Sequence, residues 1–405
     1  MYYVSRIFGT AALAALGTAV WFSIVLARAD FYFREGKVQR ATEIAPRNTE
    51  YLALRALQLE YDGADAGGLR EKIVALNPLS SAPRIRLGLA AEVAGDSARA
   101  ETWLLDAARV DHQFEPRWTL ANFYFRAGKK TEFWKWMRAA FEVSYGDRTP
   151  AYELCWRVSS DGSEILRLAI PDRREVVGSY LVYLLSKKPA DSRLPPKLAA
   201  PQDVVEVVRS LARYRDDSDL PLLFGACDEL LAARDAGALE VWVLTGQSAP
   251  SGIFNGDFAS APLNHGFDWR AIESLGVTHV NLNPGHRIAL SGQEAETGVL
   301  LKQALSLVAG KRYRLQWESR TAGIKAPSGL EWRVAGYCPL PDGRGSVGAG
   351  CAALSPSEDW MRGEMTIDAT DRFQILEFAY QRSVGESRAE GNIEIRHVRL
   401  VEAAP

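Results

Sequence analysis

The sequence predicts an α-then-β chain: an apolar N-terminal helix, an α-solenoid and a C-terminal antiparallel β-sandwich. Three observations predict it. Residues Ile7 to Ala27 carry no charge over 21 positions, and a segment near residue 82 repeats at a spacing of 33. Near residue 250 the apolar period changes from helical to alternating. The expected boundaries are a membrane anchor over 1–29, a solenoid over 30–245, a linker over 246–252 and a sandwich over 253–402. At 405 residues the chain is too long for one ordinary domain.

The first element is "IFGTAALAALGTAVWFSIVLA". As a helix it rises about 30 Å, the hydrocarbon thickness of a bilayer. Trp21 suits an interface. Ala27-Arg28-Ala29 also fits the small-x-small pattern of a cleaved signal peptide, but the apolar run is long for one, so an uncleaved anchor is expected. Arg6 precedes the span, and Arg28, Arg34, Lys37 and Arg40 follow it. Counted alone, these charges place the body in the cytoplasm. Signal anchors with short N-terminal tails often leave it outside, so the orientation stays open.

The solenoid follows from two aligned segments, "APRIRLGLAAEVAGDSARAETWLLDAARVDHQF" and "EPRWTLANFYFRAGKKTEFWKWMRAAFEVSYGD". Pro83 matches Pro116, Leu87 matches Leu120, Gly95 matches Gly128, and Ala107 matches Ala140. Helix, glycine turn and helix at a fixed period is the signature of a stacked repeat. Gly95 and Gly128 end the first helix of each pair, since glycine takes the left-handed turn cheaply. Leu87, Leu104 and Val110 fill the seam. The stretch "LG…A…GDSARAETWLLDAARVD" resembles the tetratricopeptide repeat (TPR), with Phe133 standing where that family has alanine. The resemblance runs from about Gly36 to Asp147; the repeat from Arg47 to Pro78 is weaker, because "YDGADAGGL" interrupts its second helix. From Thr149 to about Thr245 the pattern stays helical without a clear repeat.

A TPR-like solenoid implies a groove for a protein partner. The family's groove positions fall on Tyr51, Arg55 and Gln58, and on Trp118, Asn122, Phe125 and Arg126. Aromatic, amide and guanidinium groups together suit a peptide. The alternative is that Trp118 and Phe125 pack against neighbouring helices.

After Thr245–Gly252, "KRYRLQWESRT", "GLEWRVAG", "FQILEFAYQ" and "NIEIRHVRLVE" alternate and end in turn residues. About eight strands of this kind predict a sandwich, with "IFNGDF" as its first strand and "NHGFDWR" as turn and edge. Asn255-Gly-Asp-Phe258, Gly266-Phe-Asp-Trp269, Gln303, Trp360 and the closing Val398 and Leu400 resemble the galactose-binding-like jelly roll of carbohydrate-binding modules. That resemblance implies a structural calcium ion held by acids near both ends. Asp257 suits the first place, but Arg396 and His397 stand where the second acid belongs, so no metal is expected.

Sugar recognition needs an aromatic platform with polar groups around it. Trp269, Trp332, Trp360 and Tyr380 are the aromatic candidates, and alternation assigns Trp317 and Trp332 to the core. The glycan-binding set is therefore Trp269, Gln316, Glu318, Arg320 and Arg333, against the alternative of an ordinary solvated face. No catalytic residues are expected. His112, His265, His279, His286 and His397 have no metal-ligand spacing, and Gly343–Gly348 ("GRGSVG") follows no Rossmann strand-to-helix pattern. Asp268 with Glu318 is the one conceivable glycosidase pair.

Cys338 and Cys351 bracket a glycine-rich loop, where a disulfide would suit an oxidising compartment; two free thiols are the alternative. Cys155 and Cys227 sit in apolar helical contexts. Basic and acidic residues number 32 and 32 up to Gly252 and 16 and 18 after it, so neither half suits nucleic acid. The layout resembles membrane-anchored bacterial TPR proteins with a C-terminal jelly roll, some associated with exopolysaccharide export. That resemblance implies an inner-membrane protein facing the periplasm. The expected function is a non-catalytic scaffold whose solenoid binds a protein partner and which needs no cofactor. A polysaccharide-binding role for the sandwich is the alternative, and a glycan-acting enzyme the second.

Overall fold

The computed structural model describes residues 2–186, 200–334, 350–382 and 385–403, with backbone alone for 2–10. Among these residues, fourteen α-helices precede ten β-strands. The chain forms two compact units, Met1–Ser160 with Glu164–Arg173, and Asp161–Ser163 with Arg174–Pro405. The last helix ends at Leu244 and the first strand begins at Arg270, so 246–252 is only the start of a longer stretch that holds neither.

In the first unit, α1 (Tyr2–Arg34) is one continuous helix, exposed all round from Ala11 to Ile24. Its last turns behave differently. Ala29 is fully buried, and Tyr32 and Phe33 pack with Ala41 of α2 (Val38–Ile44), Ala45, and Tyr51 of α3 (Thr49–Tyr61). The apolar rod thus ends as the first helix of a hairpin. Helices α3 and α4 (Gly67–Leu76), α5 (Ala82–Val93) and α6 (Ser97–Val110), and α7 (Phe114–Arg126) and α8 (Lys130–Val143) form successive hairpins. The glycine logic holds: Gly95 and Gly128 take φ of 82° and 69°. After α5, Asp96 N–H donates back to Ala91 O, and the Asp96 carboxylate then accepts from Arg99 N–H to start α6. Leu87, Leu104 and Ala107 are buried in the seam. The weak repeat keeps its second helix, because "YDGADAGGL" supplies the turn itself and α4 begins at Gly67 with 10 residues against 14 in α6. Helix α9 (Thr149–Val158) follows, and α10 (Gly162–Leu168) runs across the division between the units.

The second unit joins α11 (Arg174–Leu185), α12 (Pro201–Ala212), α13 (Leu220–Ala232) and α14 (Gly237–Leu244) to the sandwich. One antiparallel sheet has the order β1 (Arg270–Ala271), β4 (Thr297–Ser306), β9 (Phe373–Gln381), β6 (Leu330–Val334), β7 (Cys351–Ala353). The other has β2 (Val277–Asn281), β3 (His286–Ser291), β10 (Glu390–Glu402), β5 (Arg312–Ala322), β8 (Met361–Asp368). Between them Trp332 packs on Trp269, Trp317 and Phe378 at ring distances of 6.0, 5.8 and 4.9 Å.

"IFNGDF" is not a strand. Asn255 and Phe258 adopt left-handed φ of 49° and 51°, and Phe258 N–H closes a turn on Asn255 O. The first strand is the two-residue β1, one turn later. The "NGDF" turn instead docks on a bulge in β10, where Val398 N–H donates to Gly256 O. A Cβ on Gly256 would lie 2.0 Å from Val398 O, so only glycine fits.

Helices and sandwich meet tightly in this unit. Asp228 of α13 bonds His265 Nδ1 at 2.7 Å, Gly266 N–H at 2.7 Å and Arg270 Nη2 at 2.5 Å. The fully buried Trp242 of α14 packs edge-on against Phe254 and Phe267, and Gly266 leaves it the space that a Cβ would fill.

Candidate functional site

The seven groove candidates in the solenoid do not gather around one opening. Tyr51 is buried and stacked on Phe33 at 4.5 Å, because the end of α1 covers that face of α3. Arg55 and Gln58 are half-buried. Trp118 stacks on Phe114 at 5.8 Å, one turn away on its own helix. Asn122 donates to Trp118 O, Arg126 makes a two-pronged pair with Glu92 at 2.7 and 2.8 Å, and Phe125 lies under Arg157 at 5.0 Å. These side chains are engaged inside the array itself. Phe133, the departure from the family alanine, is buried against Phe125 and Trp134.

An opening of about 330 Å³ lies instead between α3 and α5, floored by α4. Ala53, Ala56, Leu57, Ile73 and Pro83 make its apolar surface, and Glu50 and Arg86 stand at its rim. Leu57 is 46 % exposed, an apolar side chain left in solvent beside an apolar floor. The buried Arg70 guanidinium at the floor pairs with Glu60. Sequence reading missed this opening because the α1–α2 hairpin shifts which face of α3 stays free.

On the sandwich, the glycan candidates divide three ways. Trp269 is fully buried, donating its indole N–H to Asn255 O and stacking on Phe258, so it offers no platform. Arg333 lies on the outer face of the β4–β9–β6 sheet, paired with Glu377 and Glu331. Gln316, Glu318 and Arg320 share the outer face of β5 in the other sheet. Gln316 and Glu318, with Arg362, Glu364, His397 and Arg399, line a cleft of about 580 Å³. Arg362 and Glu364 come from the alternation of β8, a signal present in "MRGEMTID". His397 and Arg399 come from the β10 bulge, which alternation alone does not reveal.

Charge on this face is organised. Glu394 takes Arg287 and Arg320, and Glu318 takes Arg396 and Arg362. Against the opposing effect of burial, the hydrogen bonds from Arg396 and Arg362 hold the Glu318 carboxyl below its ordinary value. Glu394 is lowered in the same way, burial opposing the bonds from Arg287 and Arg320. Trp360 carries the Arg396 guanidinium over its ring at 3.8 Å and that of Arg320 at 4.9 Å, so the aromatic surface is covered by cations. Tyr380 is buried, as are Trp317 and Trp332.

Asp257, the resemblance's calcium position, bonds His397 Nδ1 at 2.6 Å. Asp268 is buried and accepts from Leu263 N–H and Trp269 N–H; burial raises its pKa. It lies in the interior while Glu318 lies on an outer face, so the two do not form a facing carboxylate pair. No group of three or more His, Cys, Asp or Glu among the described residues is arranged to hold a metal ion. Cys351 is disulfide-bonded, while Cys155 and Cys227 are free and buried. Cys338 and Gly343–Gly348 lie outside the described residues.

No family model matches this chain, and no curated protein matches it. Similar solved structures include TPR proteins and carbohydrate-binding modules. A CBM4 structure is 13% identical, with 37% of this chain and 99% of that one covered and a TM-score of 0.28. YrrB, a TPR protein with an unusual peptide-binding site, is 11% identical, covering 51% of this chain and 90% of its own, with a TM-score of 0.25. The CBM22-1 xylan-binding domain of Xyn10C from Paenibacillus barcinonensis is 11% identical, covering 39% and 99%, with a TM-score of 0.24.

Proposed function

We propose that this chain is a non-catalytic scaffold, tethered to a membrane by α1, whose solenoid holds an extended segment of a protein partner. The opening between α3 and α5 carries this reading. An apolar floor with one acid and one arginine at its rim suits a peptide that inserts an apolar side chain and pairs a charge at each end. Retention of α1 is supported by the packing of its last turns, where Ala29, Tyr32 and Phe33 belong to one cluster with Ala41 and Tyr51, so that cleavage after Ala29 would take a core residue from the fold. The bonded Cys351 supports a body on the oxidising side of a membrane, which in a bacterium is the periplasm. The test places a photo-crosslinking amino acid at Ala53 in cells, with a control at the exposed Val93. A discrete adduct at Ala53 that disappears with Leu57→Asp supports the scaffold. Equal labelling at both positions refutes it.

A second reading has its own observation, the cleft lined by Gln316, Glu318, Arg362, His397 and Arg399. Convergent donors and acceptors on a sheet face suit the hydroxyls of a polysaccharide. Affinity electrophoresis of the full chain through polysaccharide gels tests it. Retardation lost with Glu318→Ala and Arg399→Ala supports it, and unchanged mobility in every gel removes it.

A further inference from the structure

We propose that Arg28, Tyr32 and Arg40 form a seat for the phosphate of an anionic phospholipid headgroup; this rests on α1 being a retained membrane span. The uncharged run ends at Ala27, and Arg28 is the next residue of the same helix. Tyr32 follows one turn later, about 6 Å further along the axis at 1.5 Å per residue. That is the depth of a headgroup layer beyond the hydrocarbon. Arg40 reaches the same point from α2, which folds back against the end of α1. Both guanidiniums lie over the single Tyr32 ring, each 5.8 Å from its centre.

The other cations nearby have a carboxylate beside them. Arg34 pairs with Asp30 at 2.8 Å, and Lys37 lies 4.0 Å from Glu35. Arg28 and Arg40 have no carboxylate partner among the described residues, and both are exposed. The Tyr32 hydroxyl accepts from both guanidiniums but carries no charge to set against theirs, and a phosphate diester bound there would accept from both and offset their repulsion. Phe31, 58 % exposed beside them, adds an apolar side chain that can enter the acyl boundary below the headgroup. A membrane is favoured over a soluble phosphate as the source because the seat is fixed, without a linker, to the helix that enters the bilayer.

The full chain is reconstituted into nanodiscs of phosphatidylcholine, with or without phosphatidylglycerol. Lipid retained on the protein is read by native mass spectrometry. Phosphatidylglycerol is expected to be enriched on the wild type. Arg28→Gln and Arg40→Gln are each expected to lower that enrichment about fivefold, since an arginine near the surface contributes about 1 kcal/mol to anionic-lipid attraction. Arg34→Gln, already paired, is expected to change it little. Equal enrichment in wild type and the Arg28→Gln/Arg40→Gln double variant overturns the seat, as does an equal loss with Arg34→Gln. Displacement of the lipid by inorganic phosphate overturns the membrane as its source. The intact mass reads the underlying span separately: a chain that incorporates whole but shows no enrichment sinks the seat alone, while loss of the first 29 residues sinks both.

Discussion

His279 and His286 show how far one hydrogen-bond chain can be followed at the level of single residues. His279 Nε2 lies 3.1 Å from Ile272 O, and a carbonyl only accepts, so that nitrogen carries the proton. His279 Nδ1 is then bare and accepts from His286 Nε2 at 3.1 Å. His286 Nδ1 is left as a buried lone pair with no donor, and so is Oδ1 of Asn281, the residue paired with it across β2 and β3. Burial, together with the neighbouring His279, lowers the His286 pKa to about 4. The unfolded chain takes up this proton below about 6.5 while the native one resists it, so stability is full above that pH and falls as pH drops through about 4. The shift corresponds to about 3 kcal/mol. Urea midpoints of wild type and His286→Phe, measured from neutral pH to 4, are expected to converge as pH falls. Parallel curves contradict this. The two free thiols behave oppositely to reactive cysteines. Burial pushes the Cys227 thiol up to about 12 and that of Cys155 higher, so neither is expected to react with a thiol reagent until urea unfolds the chain. Rapid labelling of the native protein would refute their placement.

Between elements, the helical hairpins depend on where small residues let helices approach. A Cβ on Gly88 of α5 would meet Leu104 of α6 at 2.7 Å and the Ala100 carbonyl at 3.3 Å. Leu104 is itself fully buried and has nowhere to move. Gly88→Ala is expected to destabilise by about 1–3 kcal/mol through overpacking. Gly68, near the start of α4, has open space around it and an ordinary φ. Gly68→Ala is expected to stabilise by about 0.5–1 kcal/mol through helix propensity and lost unfolded-state freedom. Chemical denaturation of the pair checks both signs, and the same sign for both would show that the seam is not close-packed there. In the sandwich, Gly363 plays the Gly88 role, giving Trp317 the space across a strand pair that a side chain would take.

Across the second unit, the end of the helical region is part of what the sandwich packs on. Asp228 gathers a histidine, a backbone N–H and an arginine from the loop leading to β1, and Trp242 closes the apolar side of the same junction. Asp228→Ala removes the acceptor for all three and leaves Arg270 without its acid. The group is partly exposed, so a loss of about 2 kcal/mol is expected. The expected readout is faster protease cleavage within 246–252, with the sandwich fragment remaining resistant. A wild-type cleavage rate in the variant would mean that the clasp does not hold the junction.

The sequence by itself determined the order of architectures, because periodicity and composition are local. The uncharged run, the 33-residue repeat with its turn glycines, and the alternation of β5, β6 and β9 each specify an element without reference to distant chain. The core assignments of Trp317 and Trp332 followed from the same alternation. Tertiary structure decided everything that depends on which face meets which. It buried Tyr51 under the end of α1, folded "IFNGDF" into a turn against the β10 bulge, and took Trp269 into the core. It moved the open groove to Ala53 and Leu57, and brought Arg362, His397 and Arg399 beside Gln316 and Glu318. A pattern along one segment fixes that segment's own faces, but a site is made where faces from separate segments converge, and that convergence is set by packing alone.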